Sequence, residues 1–505
     1  MSKLLLFVLF LFIVPFHLLS QVLPREGSKL NYRLVGFSFP QERNASRYKI
    51  EIAAGNYSTV DSFKKHVIQS AVSDSNKVMA EVPSFGSQYT WQVVYTAKKA
   101  AAIHSTHSPL YHFSTMMNDH VDTGKLRLRI LQPAEEYKDA YVAMDAGGVL
   151  YDMTGRPVWY IPDTNGFGGF VGAMQFTPEG TVTFLYGKKN YEINGSGAVL
   201  WQTPDHVILD GDTVVTYFHH EFIKRPNGHY MMLGFDTKMC KLVSTKDTSY
   251  IIVSNDKKKE KEGYKLGRFG AIIEYDEKDS VVWSWRTSKY LIGSDFDYDN
   301  SLDSNIRFDP HDNTFYFDEK NNWIYLGFRN LNRILKIEYP SGKILRTYGE
   351  NFKPGNKGIG GGLFCNLHNI SRSQEGYLYF FNNNSCMRTD SLPTVVMLQE
   401  PASPDDTFKK IWEYTCTVEG NNHKLFYSGG SALELPDRSM FVCMGSDYSK
   451  VFIVNRDKKI LWSALPERYM ENESWTPIKE YRANIITRKD LEHLIWNAET
   501  YTSPR

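Results

Sequence analysis

Leu150-Tyr151-Asp152-Met153-Thr154-Gly155-Arg156-Pro157-Val158-Trp159 decides the fold of this chain, because the chain repeats it. An apolar strand runs into a turn rich in Asp, Gly or Asn, and the strand that follows ends on a large apolar plug. The phrase returns as Ile193-Asn194-Gly195-Ser196-Gly197-Ala198-Val199-Leu200-Trp201, and again from Ile273-Glu274-Tyr275-Asp276 to Val281-Val282-Trp283. Ile337-Glu338-Tyr339-Pro340-Ser341-Gly342-Lys343-Ile344-Leu345 is a fourth copy, and Val454 to Trp462 is the last. A degenerate copy lies between them, from Val395-Val396-Met397 to Lys410-Ile411-Trp412. Hairpins recurring every 40–60 residues or so predict a β-propeller, since each unit buries its apolar face only against its neighbours. Six copies predict six blades over residues 125–470, with 471–505 as a closing segment that holds a short helix from Arg488 to Trp496.

Upstream, residues 28–117 read as a small β-domain. Tyr89-Thr90-Trp91-Gln92-Val93-Val94-Tyr95 alternates in the period-two manner of a half-buried strand. Its length and its tryptophan-bearing central strand resemble a fibronectin type III-like sandwich. Such a module serves as a spacer, an adhesive unit or a dimerisation surface, which makes a homodimer through this domain one option. The predicted fold class is therefore all-β, a six-bladed propeller behind a sandwich. Composition agrees: 14% of the residues are aromatic, and 36 Gly and 21 Pro punctuate them, which suits many short twisted strands.

Residues 1–20 carry a lysine and then an almost wholly apolar run from Leu4 to Phe16, the layout of a secretory signal peptide. The alternative is an uncleaved N-terminal anchor. No later stretch is apolar enough to span a bilayer, so an exported protein, periplasmic or secreted, is expected. Lysine plus arginine (58) nearly cancels aspartate plus glutamate (57), which argues against a nucleic-acid binder. Five cysteines show no zinc-ribbon spacing. Cys365 with Cys386 is one candidate disulfide, and an odd count leaves at least one thiol unpaired.

Each unit also holds an earlier hairpin, and three of these begin with histidine. Tyr217-Phe218-His219-His220-Glu221-Phe222-Ile223 precedes a turn ending at Gly228, and Phe364-Cys365-Asn366-Leu367-His368-Asn369-Ile370 precedes one ending at Gly376. His220 and His368 each stand eight residues before the turn glycine, so the spacing assigns them the same place in two blades. His311 heads a third copy, with Pro310 at its start because proline has no N–H for a ladder. The first strand of a blade lines the channel, so three imidazoles are expected to face one funnel. A lone histidine there is usually structural, but three in repeat places are poorly explained by chance. His219 is the substitute for His220, because neighbours on a strand point to opposite faces and only one can face the channel. Arg329, eighteen residues after His311, either enters the funnel as a fork for an oxyanion or ends its strand in solvent.

Three histidines and an arginine without clustered carboxylates leave two chemistries. One is a zinc or iron site on neutral imidazoles. The other is group transfer through a nucleophilic imidazole, with cationic groups holding the transferred anion. Arginine favours the second, because a cation beside a metal ion is electrostatically costly. The rival from another class is a non-catalytic propeller that binds a glycan or a protein partner. The run Gly355–Gly362 lacks the Gly-Lys-Ser/Thr ending of a phosphate loop and reads as a loop beside the funnel.

These motifs resemble the bacterial aryl-sulfate sulfotransferases, the PAPS-independent arylsulfotransferase family. The resemblance rests on His219-His220-Glu221 before Pro-Asn-Gly, on His311-x-Asn with Arg329 eighteen positions on, and on Leu367-His368-Asn369. Asn366-Leu367-His368 departs from the family's more usual Gln-His pair. The resemblance implies that His368 takes a sulfuryl group from a phenolic sulfate ester and passes it to an acceptor phenol through a sulfohistidine. It implies that His220, His311 and Arg329 bind the sulfuryl oxygens, with no cofactor and no metal.

Overall fold

The structure is a computed structural model that describes residues 22–42, 45–99, 102–211, 213–244, 249–291, 306–349, 363–385, 392–403, 406, 408–417, 428–445 and 450–500. The apolar leader 1–20, the glycine-rich run 355–362 and Cys386 lie outside the described residues. The described chain separates into two compact units, residues 22–30 with 34–115 and residues 31–33 with 116–500.

In the smaller unit, a six-stranded sheet and the two-stranded sheet Leu34–Ser38 with Lys77–Glu81 form a sandwich. The strand Ala45–Ala54 alternates as half-buried strands do, turning Tyr48, Ile50 and Ile52 inward. Trp91, fully buried on Gln88–Lys99, meets Phe37 of the other sheet edge-on, with ring centroids 4.9 Å apart. That aromatic contact holds the two layers face to face.

The larger unit is a β-propeller in which, among the described residues, six sheets have four or more strands, and a small seventh pairs Val207–Leu209 with Thr213–Val215. The first contains Ala140–Met144, Val149–Asp152 and Pro157–Tyr160. The second begins at Gly172–Phe176, the third at Phe218–Lys224, the fourth at Asp312–Asp318 and the fifth at Leu367–Arg372. The sixth begins at Ser431–Glu434. The ring is sealed twice. Ala483–Thr487, from the closing segment, becomes the fourth strand of the first sheet by pairing with Ala140–Met144. Leu126–Gln132 pairs in turn with Ile460–Tyr469 of the sixth sheet.

The repeated phrase is visible in the ladders. In all six sheets the two strands it joins slip register at one place: Leu150/Tyr151, Glu192/Ile193, Glu274/Tyr275, Lys336/Ile337, Met397/Leu398 and Ile453/Val454. Opposite the residue before each slip stand Trp159, Trp201, Trp283, Trp412 and Trp462. In the fourth sheet Arg346 holds that place, so the plug of this copy is displaced by one residue from the Leu345 at which the sequence phrase ends.

The tryptophans fasten each sheet to the next. Trp159 Nε1 donates to Gly195 O at 2.7 Å, Trp201 Nε1 to Asp279 Oδ1 at 2.7 Å, and Trp283 Nε1 to Pro340 O at 2.7 Å. Trp412 Nε1 donates to Arg456 O at 2.8 Å. Trp462 Nε1 reaches Met153 O of the first sheet at 3.1 Å, which closes the circle. Each acceptor lies in the outer turn of the following sheet, so one indole supplies buried area and a bond worth about 1 kcal/mol net. Between the fourth and fifth sheets an apolar cluster including Tyr325, Ile334, Leu367 and Phe380 does this work instead.

Cys365 is disulfide-bonded, while Cys240, Cys416 and Cys443 are buried free thiols. The closing helix runs from Arg488 to Thr500. Among the described residues no helix is long and apolar enough to cross a membrane.

Candidate active site

Four sheets carry a second irregularity, on their innermost strand. The register slips after Gly172, His219, Asp312 and His368, and beside each slip one residue takes a left-handed backbone: Ala173 (φ 51°), His220 (57°), His311 (55°) and Asn369 (52°). Such a bulge bends the strand and re-aims side chains at the cost of a strained residue. His220 and His311 share the left-handed backbone, His220 within its slip and His311 just before the paired Asp312, but His368 does not share it. It stands one residue earlier, where the third sheet has His219.

The bulge also overturns the expectation that only one of His219 and His220 can face the channel. Strict alternation fails at a left-handed residue. The two imidazoles touch, Nδ1 to Nδ1 at 2.6 Å, so one ring donates to the other. Both line a cavity of about 760 Å³ together with His311. His219 stacks on Phe235 with centroids 3.8 Å apart. Burial, assisted by the neighbouring His311, pushes the His219 pKa down to about 3.

All four residues singled out in the sequence come to the propeller's interior. The His220 and His311 rings lie 5.2 Å apart, centroid to centroid. His311 precedes the strand Asp312–Asp318, and its Nδ1 is 3.5 Å from Asp309 Oδ2. Burial opposes ionisation of Asp309, but the hydrogen bond and charge of His311, with Arg268 behind it, hold its carboxyl below the usual range. Arg329 follows the strand Trp323–Phe328, and its backbone N–H donates to His311 O at 2.8 Å. Its guanidinium is buried, not in solvent, with Nη1 donating to Asn330 Oδ1 at 2.8 Å.

His368, only 1% exposed, is the most constrained of the set. Its Nδ1–H donates to Asn383 Oδ1 at 2.5 Å, and Gly429 N–H donates to its Nε2 at 3.2 Å. An amide oxygen only accepts and a peptide N–H only donates, so the proton sits on Nδ1 and the lone pair on Nε2. Burial first, then the Arg329 and Arg482 charges and His311, drive its pKa well below the ordinary imidazole value. Burial and the imidazoles of His219, His311 and His368 do the same to His220.

Two residues at the centre escaped the sequence reading. The Tyr481 ring lies between the histidines, 5.9 Å from His220 and 6.1 Å from His368, and burial pushes its pKa up to about 12. Arg482 is buried, with Nη1 donating to Glu221 Oε1 at 2.7 Å and Nη2 to Asn313 O at 3.3 Å. Burial alone would weaken its hold on the proton, but Glu221 and Tyr481 outweigh that and keep it cationic. Both stand immediately before the ring-closing strand, outside the repeats, where no motif marks them. Glu221 and Arg482 line a second cavity of about 370 Å³, whereas their chain neighbours His220 and Tyr481 line the space on the histidine side.

Neutral imidazoles beside two buried guanidiniums can bind an oxyanion and attack it. Among the described residues no group of three or more His, Cys, Asp or Glu has the geometry to hold a metal ion. Fold and site together define a propeller equipped to hold and transfer an anionic group. Residues 97–446, more than two thirds of the chain, match the family model Arylsulfotransferase (ASST). The chain belongs to the arylsulfotransferase family, and aryl sulfotransferase activity in general goes with that membership.

No curated protein matches the chain. Several solved structures resemble it remotely. A protein of unknown function from Bacteroides caccae is 11% identical, with a TM-score of 0.39, over 64% of this chain and 93% of its own. An auxiliary nutrient binding protein from Bacteroides thetaiotaomicron is 9% identical at a TM-score of 0.33, over 92% of this chain and 94% of its own. The periplasmic gluconolactonase of Pseudomonas aeruginosa is 12% identical at 0.32, over 72% and 99%. These likenesses carry no argument about function.

Proposed function

We propose that this protein moves a sulfuryl group from a phenolic sulfate ester to an acceptor phenol through a sulfohistidine on His368, without PAPS. In the first half-reaction His368 Nε2 bonds to sulfur as the bond from sulfur to the aryl oxygen breaks. The departing phenoxide takes a proton from protonated His311, the member of the His220–His311 pair that has the Asp309 carboxylate beside it. In the second, that imidazole removes the proton of the acceptor phenol, whose oxygen bonds to sulfur as the N–S bond breaks. Arg329, with His220 and His311, holds the sulfuryl oxygens through both steps, where charge shifts onto oxygen. Arg482 adds a second cation from beside Glu221. The reading includes export by the leader at residues 1–20.

One observation carries this reading. His368 is held neutral by its surroundings, its Nδ1–H fixed on Asn383 and its Nε2 lone pair directed away from that anchor. A nucleophile needs that tautomer, and a third group orienting the ring is the usual companion of an activated imidazole. At rest the Gly429 N–H, 3.2 Å away, occupies that lone pair, and it gives way to sulfur in the first half-reaction.

The test mixes the protein with 4-nitrophenyl sulfate and looks for an acid-labile sulfuryl adduct on His368. His368→Asn is expected to lose both the adduct and transfer to phenol, a fall of at least about 10⁴. A His368→Asn protein that still sulfates phenol would sink the mechanism.

A further inference from the structure

The histidine-side cavity is far larger than one phenyl ring requires. At about 760 Å³ it lies in the range that encloses a whole drug-sized ligand. Its shape follows from the third sheet, where Tyr230–Ser244 overruns the inner strand Phe218–Lys224. His219 pairs with Leu233, and the cavity wall continues through Phe235, Thr237, Lys238 and Met239. The five steps from Leu233 to Lys238 span about 17 Å of extended strand. The cavity therefore runs well past the imidazoles.

Its lining changes along that path. Near the histidines the Tyr217 and Phe235 rings form a flat wall, with centroids 5.2 Å apart. Further on the wall is cationic. The Arg268 guanidinium lies 4.8 Å above the Phe235 ring, and Lys238 Nζ is held by Asn255 Oδ1 at 2.5 Å and Asp236 Oδ1 at 3.3 Å. Lys257, exposed, stands at the rim on the turn Lys257–Glu262. Among the described residues, no aspartate or glutamate lines this cavity. The second cavity is balanced instead, with Glu221 and Glu319 facing Lys224 and Arg482. Asp236 and Asp309 pair with Lys238 and Arg268 from outside the lining, at 3.3 and 3.8 Å, so Lys257 is the cation that meets an anion which the transferred sulfuryl group does not reach.

Resting on the sulfotransferase reading above, we propose that the acceptor is an extended phenol bearing a second anionic group at the end remote from its hydroxyl. A carboxylate, phosphate or further sulfate would serve. The phenolic oxygen meets His220 and His311, the ring system lies along Tyr217 and Phe235, and the remote anion meets Lys257.

The experiment compares 4'-hydroxybiphenyl-4-carboxylate with its neutral carboxamide, each as acceptor from 4-nitrophenyl sulfate, with phenol alongside. The carboxylate is expected to be preferred by about tenfold in kcat/KM, the worth of one charge-assisted hydrogen bond. Lys257→Met should pull that ratio towards one. The ratio is the readout, so any general loss of activity cancels. If wild type sulfates both biphenyls equally well, the remote-anion proposal falls and the sulfotransferase reading stands. If neither biphenyl nor phenol is sulfated, the reading falls and takes this proposal with it.

Discussion

The inner and outer edges of the propeller sheets use the same device, a one-residue slip in register, in different ways. At the outer edge the slip occurs in all six sheets, and five of them place a tryptophan beside it. At the inner edge it occurs in four, and the left-handed residue is alanine, histidine, histidine and asparagine in turn. Outer positions each perform one task, fastening a sheet to the next, and one side chain suits it. Inner positions converge on a common axis, where each side chain meets different neighbours. A repeated backbone with varied side chains is what the proposed reaction centre requires. The contrast separates residues whose loss should cost activity from residues whose loss should cost stability.

The sharpest way to break this contrast is His220→Ala. Ala173 already holds φ 51° at the matching place of the second sheet, so alanine can occupy the bulge. The variant should lose no more than about 1–2 kcal/mol of stability with its bond to His219, while kcat for transfer to phenol falls by about 10²–10³, the scale of one lost oxyanion donor. A variant that unfolds early but retains its turnover would make the inner bulges merely structural.

Trp159→Phe should do the reverse. It removes the bond to Gly195 O while keeping a ring in the slot, which costs about 1–2 kcal/mol of stability, read as a lower urea midpoint. Its kcat should match wild type, and a large fall in turnover would join the two edges into one functional unit.

The smallest effect concerns His219, which belongs to the inner edge yet is buried against Phe235. Unfolded, its imidazole takes a proton near the ordinary value of 6.5; folded, only near 3. Its contribution to stability is thus complete above pH 6.5 and is lost as pH falls from there towards 3. Wild type should therefore lose urea resistance faster than His219→Asn over that acid range. Parallel pH profiles for the two proteins would show that the ring is not held neutral.

Much of this was legible in the chain. The tryptophan phrase and its spacing announce the propeller, because identical packing tasks select identical residues at a fixed interval. The histidines stood out for the opposite reason, as the polar exceptions in apolar strands. Turn-glycine spacing misaligned His368 with His220, because it counts residues and cannot see which one the bulge absorbs. The same blindness separated His219 from His220, whose rings touch.

Sequence alone determined the repeat, the sandwich before it and the identity of the four residues singled out. Tertiary structure decided their chemistry. Asn383 sets the tautomer of His368, and Glu221 and Arg482 meet across 261 positions of chain only because Ala483–Thr487 returns to close the first sheet. Local patterns record forces between near neighbours in sequence. The His368 tautomer and the buried charges beside it are fixed by burial and by long-range contacts, which exist only once the ring is closed.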